Sequence, residues 1–160
     1  MLQYEKLIKK NERDVTSLIN LGLAYAEKYE HNQKLKSKPK KSSGKKISDS
    51  EKQELQRSID VLEKAAKLQP ELPEGIYLSL AKLYFLKKDY KKCVSSCEME
   101  LKSSGNEIEA LKLMAQSHED LNQKQGALDI YEKLVMKETK NSFFKQKIFL
   151  SKIVLYLQCY

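Results

Sequence analysis

The chain has 160 residues, enough for one domain with a sizeable core, and glycine (5) and proline (3) are scarce while tryptophan is absent. Lysine, leucine and glutamate are the most abundant residues, and together with glutamine and alanine they favour helix and argue against a β-rich fold. The formal net charge is +8, but seven lysines lie between His31 and Ser48 without an acidic residue, and removing them leaves +1. The basic character therefore belongs to one segment, which argues against nucleic acid as a partner of the folded part.

The hydrophobic pattern predicts eight helices. Residues 3–11 have the pattern of the end of a helix, and a second helix begins at Val15 and continues to about Tyr29 or beyond. The lysine-rich segment follows, with Pro39 and Gly44 as breakers. Its lysines are Lys34, Lys36, Lys38, Lys40, Lys41, Lys45 and Lys46.

The third helix begins at a capping-box spacing, Ser48 to Glu51, and ends before Pro70. Turn residues separate the helices that follow, since Pro73, Asp89 and Gly105 each lie between two apolar-periodic stretches. These later helices are expected at about 74–86, 90–102, 107–121, 125–138 and 142–158.

A set of small and aromatic residues recurs every 34 residues. Ala81, Tyr84 and Cys97 are matched by Ala115, His118 and Tyr131, and the first half of the set appears upstream as Leu21, Gly22 and Tyr25. Such a period is typical of stacked helix pairs that bury their apolar faces against their neighbours.

These residues resemble the tetratricopeptide repeat (TPR) family, whose unit has a small residue at its eighth position and aromatic residues near its eleventh and twenty-fourth. The resemblance implies an all-α fold, a right-handed superhelical stack of helix-turn-helix repeats with about eight helices. It covers roughly residues 4–140, and we expect a single array. Its parts are a partial repeat (1–12), a repeat with a disordered lysine-rich insertion at about 31–48 (15–70), two further repeats (74–105 and 108–139) and a terminal helix (142–160).

In TPR proteins the first helix of each pair lines a concave groove that binds a protein or peptide segment. Carried over position by position, the resemblance predicts eight groove residues: Ile19, Leu23, Ala26, Leu78, Lys82, Phe85, Lys112 and Gln116. The alternative is that some of the apolar ones only complete helix packing. Because Ile19 and Leu23 are apolar, we expect a mostly apolar partner segment rather than a chaperone tail held by its carboxylates.

The lysine-rich segment has three interpretations. Its composition cannot bury enough apolar surface to offset the entropy of ordering, which predicts a solvated, disordered insertion. It is alternatively an electrostatic tether to nucleic acid, acidic protein or anionic membrane, or a targeting or phosphorylation segment around Ser42 and Ser43.

The last predicted helix is more apolar than one buried face requires. We expect it to pack partly on the third repeat and partly on a further repeat, or on a second copy of the chain. The residues assigned to this interface are Phe144, Phe149 and Tyr156. Because the first repeat is also incomplete, we expect the chain to be part of a longer array.

Candidates for chemistry are few. Cys93 and Cys97 lie on one helix face, but no second cysteine or histidine pair stands at ligand spacing, so we interpret both as core residues. His118 takes the position of an aromatic residue and is interpreted as packed between helices. No catalytic residue, metal site or cofactor is predicted, and we expect a non-enzymatic interaction scaffold.

The sequence also bears on location. No stretch approaches the roughly 20 apolar residues that span a bilayer, and no apolar run follows Met1 as in a secretory signal. The odd number of cysteines favours a reducing, intracellular and most simply cytoplasmic setting.

Overall fold

The computed structural model describes residues 5–6, 11–36, 49–103 and 107–137 together with Gln146 and Ile148, and for 32–36 it describes the backbone alone. All regular secondary structure in these residues is α-helical, which confirms the predicted fold class. Six helices have defined bounds: α1 (Val15–Lys36), α2 (Asp49–Leu68), α3 (Ile76–Leu86), α4 (Tyr90–Lys102), α5 (Glu107–Asp120) and α6 (Lys124–Lys137).

The count is therefore six rather than eight in the described part of the chain. Of the two terminal helices that the sequence predicts, the structure describes only Glu5, Lys6, Gln146 and Ile148, and all four are helical. The rest of both predicted helices lies outside the described residues. No helix in the described part is both long enough and apolar enough to cross a bilayer.

Apart from the end of α1, which extends to Lys36, the internal helix boundaries agree with the sequence within one or two residues. The largest difference among the last four is at α3, which begins at Ile76 rather than at residue 74. The backbone N–H of Ile76 donates to the carbonyl of Pro73 at 3.3 Å, and Gly75 has a φ of 84°. A turn that needs this left-handed conformation delays the start of the helix, and glycine adopts it without steric cost.

The chain divides into two compact units, residues 1–76 and 77–160. In the first unit, α1 and α2 pack antiparallel: Lys28 forms an ion pair with Glu54, and Lys64 lies 3.8 Å from Glu12. Between these ends the hydroxyl of Ser58 donates to the carbonyl of Gly22 at 2.7 Å. Gly22 is buried, as the repeat predicts for a position of close helix contact.

The insertion in this unit is partly helical, so the prediction of a disordered segment from residue 31 is wrong for residues 31–36. Lys34 and Lys36 belong to α1, while the other five lysines of the segment lie outside the described residues. The physical reason is that no helix breaker precedes Pro39, and Glu30 and Lys34 stand at the favourable i, i+4 spacing. The two helices of this pair have 22 and 20 residues.

In the second unit, α3 to α6 form two further antiparallel pairs. Leu78 on α3 contacts Glu100 on α4, and Glu107 on α5 forms an ion pair with Lys137 on α6. The small residues predicted at close contacts, Ala81 and Ala115, are both fully buried. The described core is completed by apolar residues of α3, α5 and α6 and by the two cysteines of α4.

Candidate functional site

The candidate site is the face of the first helix in each antiparallel pair that points away from the second helix of that pair. In the second unit, α3 and α5 are first helices, and an ion pair joins them: the Lys82 ammonium lies 2.8 Å from the Glu109 carboxylate. Lys82 and Glu109 are both about half exposed. This contact connects α3 and α5 on a side that carries charge rather than core residues.

Four predicted groove residues of this unit have accessible side chains. Lys82, Phe85 and Lys112 are partly exposed and Gln116 is exposed. Leu78, the fifth, is 3% exposed and contributes to the core. The structure thus provides a face of mixed character on α3 and α5, with an aromatic ring, two lysines and an amide.

In the first unit, the three predicted groove residues lie on α1. Ile19 is 8% exposed and is part of the core, whereas Leu23 and Ala26 are partly exposed. Burial of Ile19 and Leu78 matches the alternative that some apolar groove positions complete helix packing. Partner binding by any of the eight residues stays a prediction.

Two carboxylates at the end of α5 are engaged by tyrosines. Burial, together with the charge of Glu119 and a hydrogen bond to it, raises the pKa of the Tyr131 hydroxyl above its ordinary value. Partial desolvation and the neighbouring Asp120, which shares a hydrogen bond with Tyr90, raise the pKa of the Tyr90 hydroxyl in the same direction. The two tyrosines thus connect the end of α5 to α4 and to α6 through hydrogen bonds.

The cysteines are buried, as predicted. Cys93 and Cys97 are both free thiols with no exposed surface, and the Ser117 hydroxyl donates to the Cys93 sulfur at 3.1 Å. A hydrogen bond with Cys93 and burial both raise the pKa of the Cys97 thiol. No group of metal-ligating side chains occurs among the described residues.

His118 packs between helices, also as predicted. Its Nδ1 lies 2.7 Å from the side-chain oxygen of Gln123 in the following turn. A Cβ atom built at Gly126 of α6 would lie 2.9 Å from the same nitrogen, so the ring covers the glycine. The other predicted interface residues, Phe144, Phe149 and Tyr156, lie outside the described residues.

Sequence reasoning missed the role of Glu100. Its side chain is fully buried and accepts the backbone N–H of Leu78 at 3.1 Å. Leu78 is in the first turn of α3, where backbone N–H groups have no partner within the helix. A carboxylate on α4 therefore caps α3, an arrangement that only the tertiary contact reveals.

A second basic cluster was also missed because the charge was summed over the whole folded part. The turn between α3 and α4 and the first turn of α4 carry four exposed lysines: Lys87, Lys88, Lys91 and Lys92. Their close spacing in the sequence would have identified them.

Comparison with known proteins supports the repeat assignment. The family model described as "Anaphase-promoting complex, cyclosome, subunit 3" matches residues 51–134, just over half of the chain. No curated protein sequence matches.

Two similar solved structures are TPR proteins. A thermophilic TPR protein of Thermus thermophilus is 16% identical with a TM-score of 0.58, and the match covers 94% of this chain and 70% of that one. YrrB, described as a TPR protein with an unusual peptide-binding site, is 17% identical with a TM-score of 0.60, and the match covers 92% of this chain and 63% of that one. Identities this low show the shared fold alone, and the family match adds the identity: the chain belongs to the anaphase-promoting complex, cyclosome, subunit 3 family of TPR-type repeats.

Proposed function

We propose that the chain is a non-enzymatic scaffold that binds a segment of a partner protein on the exposed face of its first helices. The TPR-type fold supports a role in protein interaction in general. The observation that carries the finer proposal is the ion pair between Lys82 and Glu109, which sets α3 and α5 side by side. Phe85, Lys112 and Gln116 are accessible on the same two helices.

The physical basis of the proposed binding is a preorganised surface. The Cβ atoms of Ala81 and Ala115 are buried, so the inward sides of α3 and α5 are closely packed and both helices are held rigidly. A rigid face loses little entropy on binding, and the partner segment bears most of the ordering cost. The half-buried Phe85 ring offers apolar contact, while Lys112 and Gln116 offer polar contacts that fix register.

For the first unit we propose a similar but more apolar face on α1. Leu23 and Ala26 are partly exposed, one helical turn apart. Both buried free thiols are compatible with a reducing compartment, so an intracellular location is part of the proposal. YrrB is described as having a peptide-binding site, and we extend peptide binding to this chain only as a proposal.

The test uses peptides selected from a random library against the intact chain. Gln116→Arg places a long cation on the proposed face and should weaken binding of most selected peptides about tenfold or more. Gln125→Arg is the matched control, since Gln125 is an exposed residue of α6 whose amide donates to Asp129 at 2.7 Å, and arginine keeps that contact. Equal affinity of the peptides for the parent and both variants would reject the proposed face.

A further inference from the structure

The turn between α3 and α4 concentrates positive charge on a surface that the groove prediction does not include. Its four lysines, Lys87, Lys88, Lys91 and Lys92, are exposed, and we name them the turn cluster. The turn between α5 and α6 lies 34 residues further along the chain and has no charge at the equivalent positions. These positions hold Leu121, Asn122, Gln125 and Gly126.

Both turns have the same backbone, so the difference between them lies in the side chains. The N–H of Asp89 donates to the carbonyl of Tyr84 at 2.9 Å, and the N–H of Gln123 donates to that of His118 at 2.8 Å. These bonds close each helix with a left-handed residue, Lys88 at φ 64° in one turn and Asn122 at φ 56° in the other. The turn between α5 and α6 can therefore be compared with the turn between α3 and α4 to find which residues this backbone conformation needs.

Lysine is a costly choice at this position. A left-handed conformation brings Cβ close to the backbone carbonyl, and asparagine or glycine tolerates it better than a long side chain does. Asn122 shows that the turn forms without a lysine. A residue held in an unfavourable conformation that the fold does not require is a reason to look for a function of its side chain.

The neighbouring carboxylates have other partners and do not pair with Lys87, Lys88 or Lys91 among the described residues. Asp89 accepts the backbone N–H of Lys92 at 3.3 Å, and Asp120 shares a hydrogen bond with Tyr90. The Lys92 ammonium lies 5.2 Å from the centre of the Tyr84 ring. In the part of the chain that the structure describes, no side-chain hydrogen bond or ion pair occupies the other three ammonium groups.

An exposed apolar residue adjoins these ammonium groups. Leu86, the last residue of α3, is 40% exposed and directly precedes Lys87. We propose that Leu86 and the turn cluster together bind an acidic protein segment that carries an apolar side chain. Its carboxylates would face Lys87, Lys88 and Lys91, and its apolar side chain would cover Leu86. The inference rests on the proposed scaffold function and names the chemistry of a partner.

A protein segment fits this surface better than nucleic acid does. Phe85 and Tyr90 are the aromatic residues of the turn, and their rings pack edge to face with centroids 5.5 Å apart. The two ring planes are inclined at 66°, so they do not form the parallel platform on which successive bases stack. The cations are lysines, which act as point charges suited to single carboxylates.

The test measures fluorescence polarisation of a labelled synthetic peptide that contains one leucine flanked by glutamates, with a second peptide carrying glutamine in place of glutamate. The intact chain is compared with a triple variant, Lys87→Gln, Lys88→Asn and Lys91→Gln, in which asparagine keeps the turn geometry. An exposed ion pair contributes a factor of about 1.5 to 5 in affinity, so the triple variant should bind about tenfold more weakly. Leu86→Ser should weaken binding further.

Two control variants make the result specific. Lys52→Gln, Lys67→Gln and Lys133→Gln together remove the same charge from exposed positions elsewhere and should leave affinity within about twofold. Glutamine at Lys38, Lys40, Lys41, Lys45 and Lys46 should likewise preserve binding. Equal losses in the two triple variants, loss only in the five-lysine variant, or tighter binding of duplex DNA than of the peptide at the turn cluster would each overturn the proposal. None of these outcomes changes the Gln116 test of the proposed face.

Discussion

Replacing Gly22 with alanine is the substitution for which the packing makes the sharpest prediction. A Cβ atom built at Gly22 would lie 2.5 Å from Cγ and 2.6 Å from Cδ2 of Leu62, which is itself fully buried on α2. The clash is with the branch point of a core leucine, which cannot swing into solvent. To accept the methyl group, α1 and α2 must move apart or Leu62 must leave its rotamer.

Three contributions set the size of the stability loss that we expect for Gly22→Ala. Overpacking of this kind costs about 1–3 kcal/mol. Separation of the helices also weakens the bond from Ser58 to the Gly22 carbonyl, worth about 1 kcal/mol. Alanine recovers roughly 1 kcal/mol through its higher helix propensity. The net expectation is a loss of about 1–3 kcal/mol, which for a chain of this size lowers the melting temperature by about 2–10 °C.

Gly126→Ala is a matched control on the same chain. Gly126 is also a helical glycine, but the added Cβ would meet the His118 ring at 2.9 Å, and that ring is partly exposed and rotatable. The propensity gain should therefore dominate, and this variant should be neutral or more stable by up to about 1 kcal/mol. Thermal unfolding followed by circular dichroism measures both variants.

A double-variant test identifies the atoms responsible. With Leu62→Ala the clashing atoms are absent, so adding Gly22→Ala in that background should cost nothing or stabilise the chain. The reasoning is refuted if Gly22→Ala is as stable as Gly126→Ala, or if its penalty persists without the leucine side chain.

Three further predictions follow from single contacts. Glu100→Ala should lower the free energy of unfolding by about 1–3 kcal/mol in denaturant titration, because the buried N–H of Leu78 loses its acceptor; an unchanged midpoint would exclude the capping role. Lys88→Gly should stabilise the fold by about 1 kcal/mol and so raise the melting temperature, since glycine adopts the left-handed conformation without strain. Lys88→Asn should give a smaller gain, by analogy with Asn122. The raised pKa of Tyr131 keeps its hydroxyl neutral in the folded chain, whereas the same hydroxyl ionises near pH 10 in the unfolded chain. The contribution of Tyr131 to stability should therefore be fully present below pH 10 and fall above it. In melting curves recorded at several pH values, Tyr131→Phe should show a smaller fall.

The helix pairs could be predicted from the sequence because the local helix and turn signals agree with the 34-residue repeat. The turn residues and the 34-residue recurrence placed α4 at its observed bounds and assigned Gly22 and Ala115 to buried positions. The assignment from sequence was wrong where charge alone was used and the helix signals of the same residues were not considered. Residues 31–36 were assigned to the basic loop from their charge, although helix propensity and the position of Pro39 extend α1 through them.

The candidate face could be predicted only as a set of positions. Periodicity gives the angle of a side chain around its helix but not the contacts that bury it, so Ile19 and Leu78 were not separated from Phe85 and Gln116. The contact between Glu100 and Leu78 joins residues 22 positions apart on different helices. No local pattern marks such a contact, and it becomes visible only when the two helices are packed.

Site-specific photo-crosslinking tests the central claim most directly. A photoreactive residue at position 116, on the proposed face of α5, is compared with one at position 129, an exposed position of α6. With a selected peptide present near its dissociation constant, the proposed scaffold function predicts a peptide adduct at position 116, suppressed by unlabelled peptide, and none above background at position 129. Adducts at position 129 alone, or equal adducts at both positions, would contradict binding on the face of the first helices.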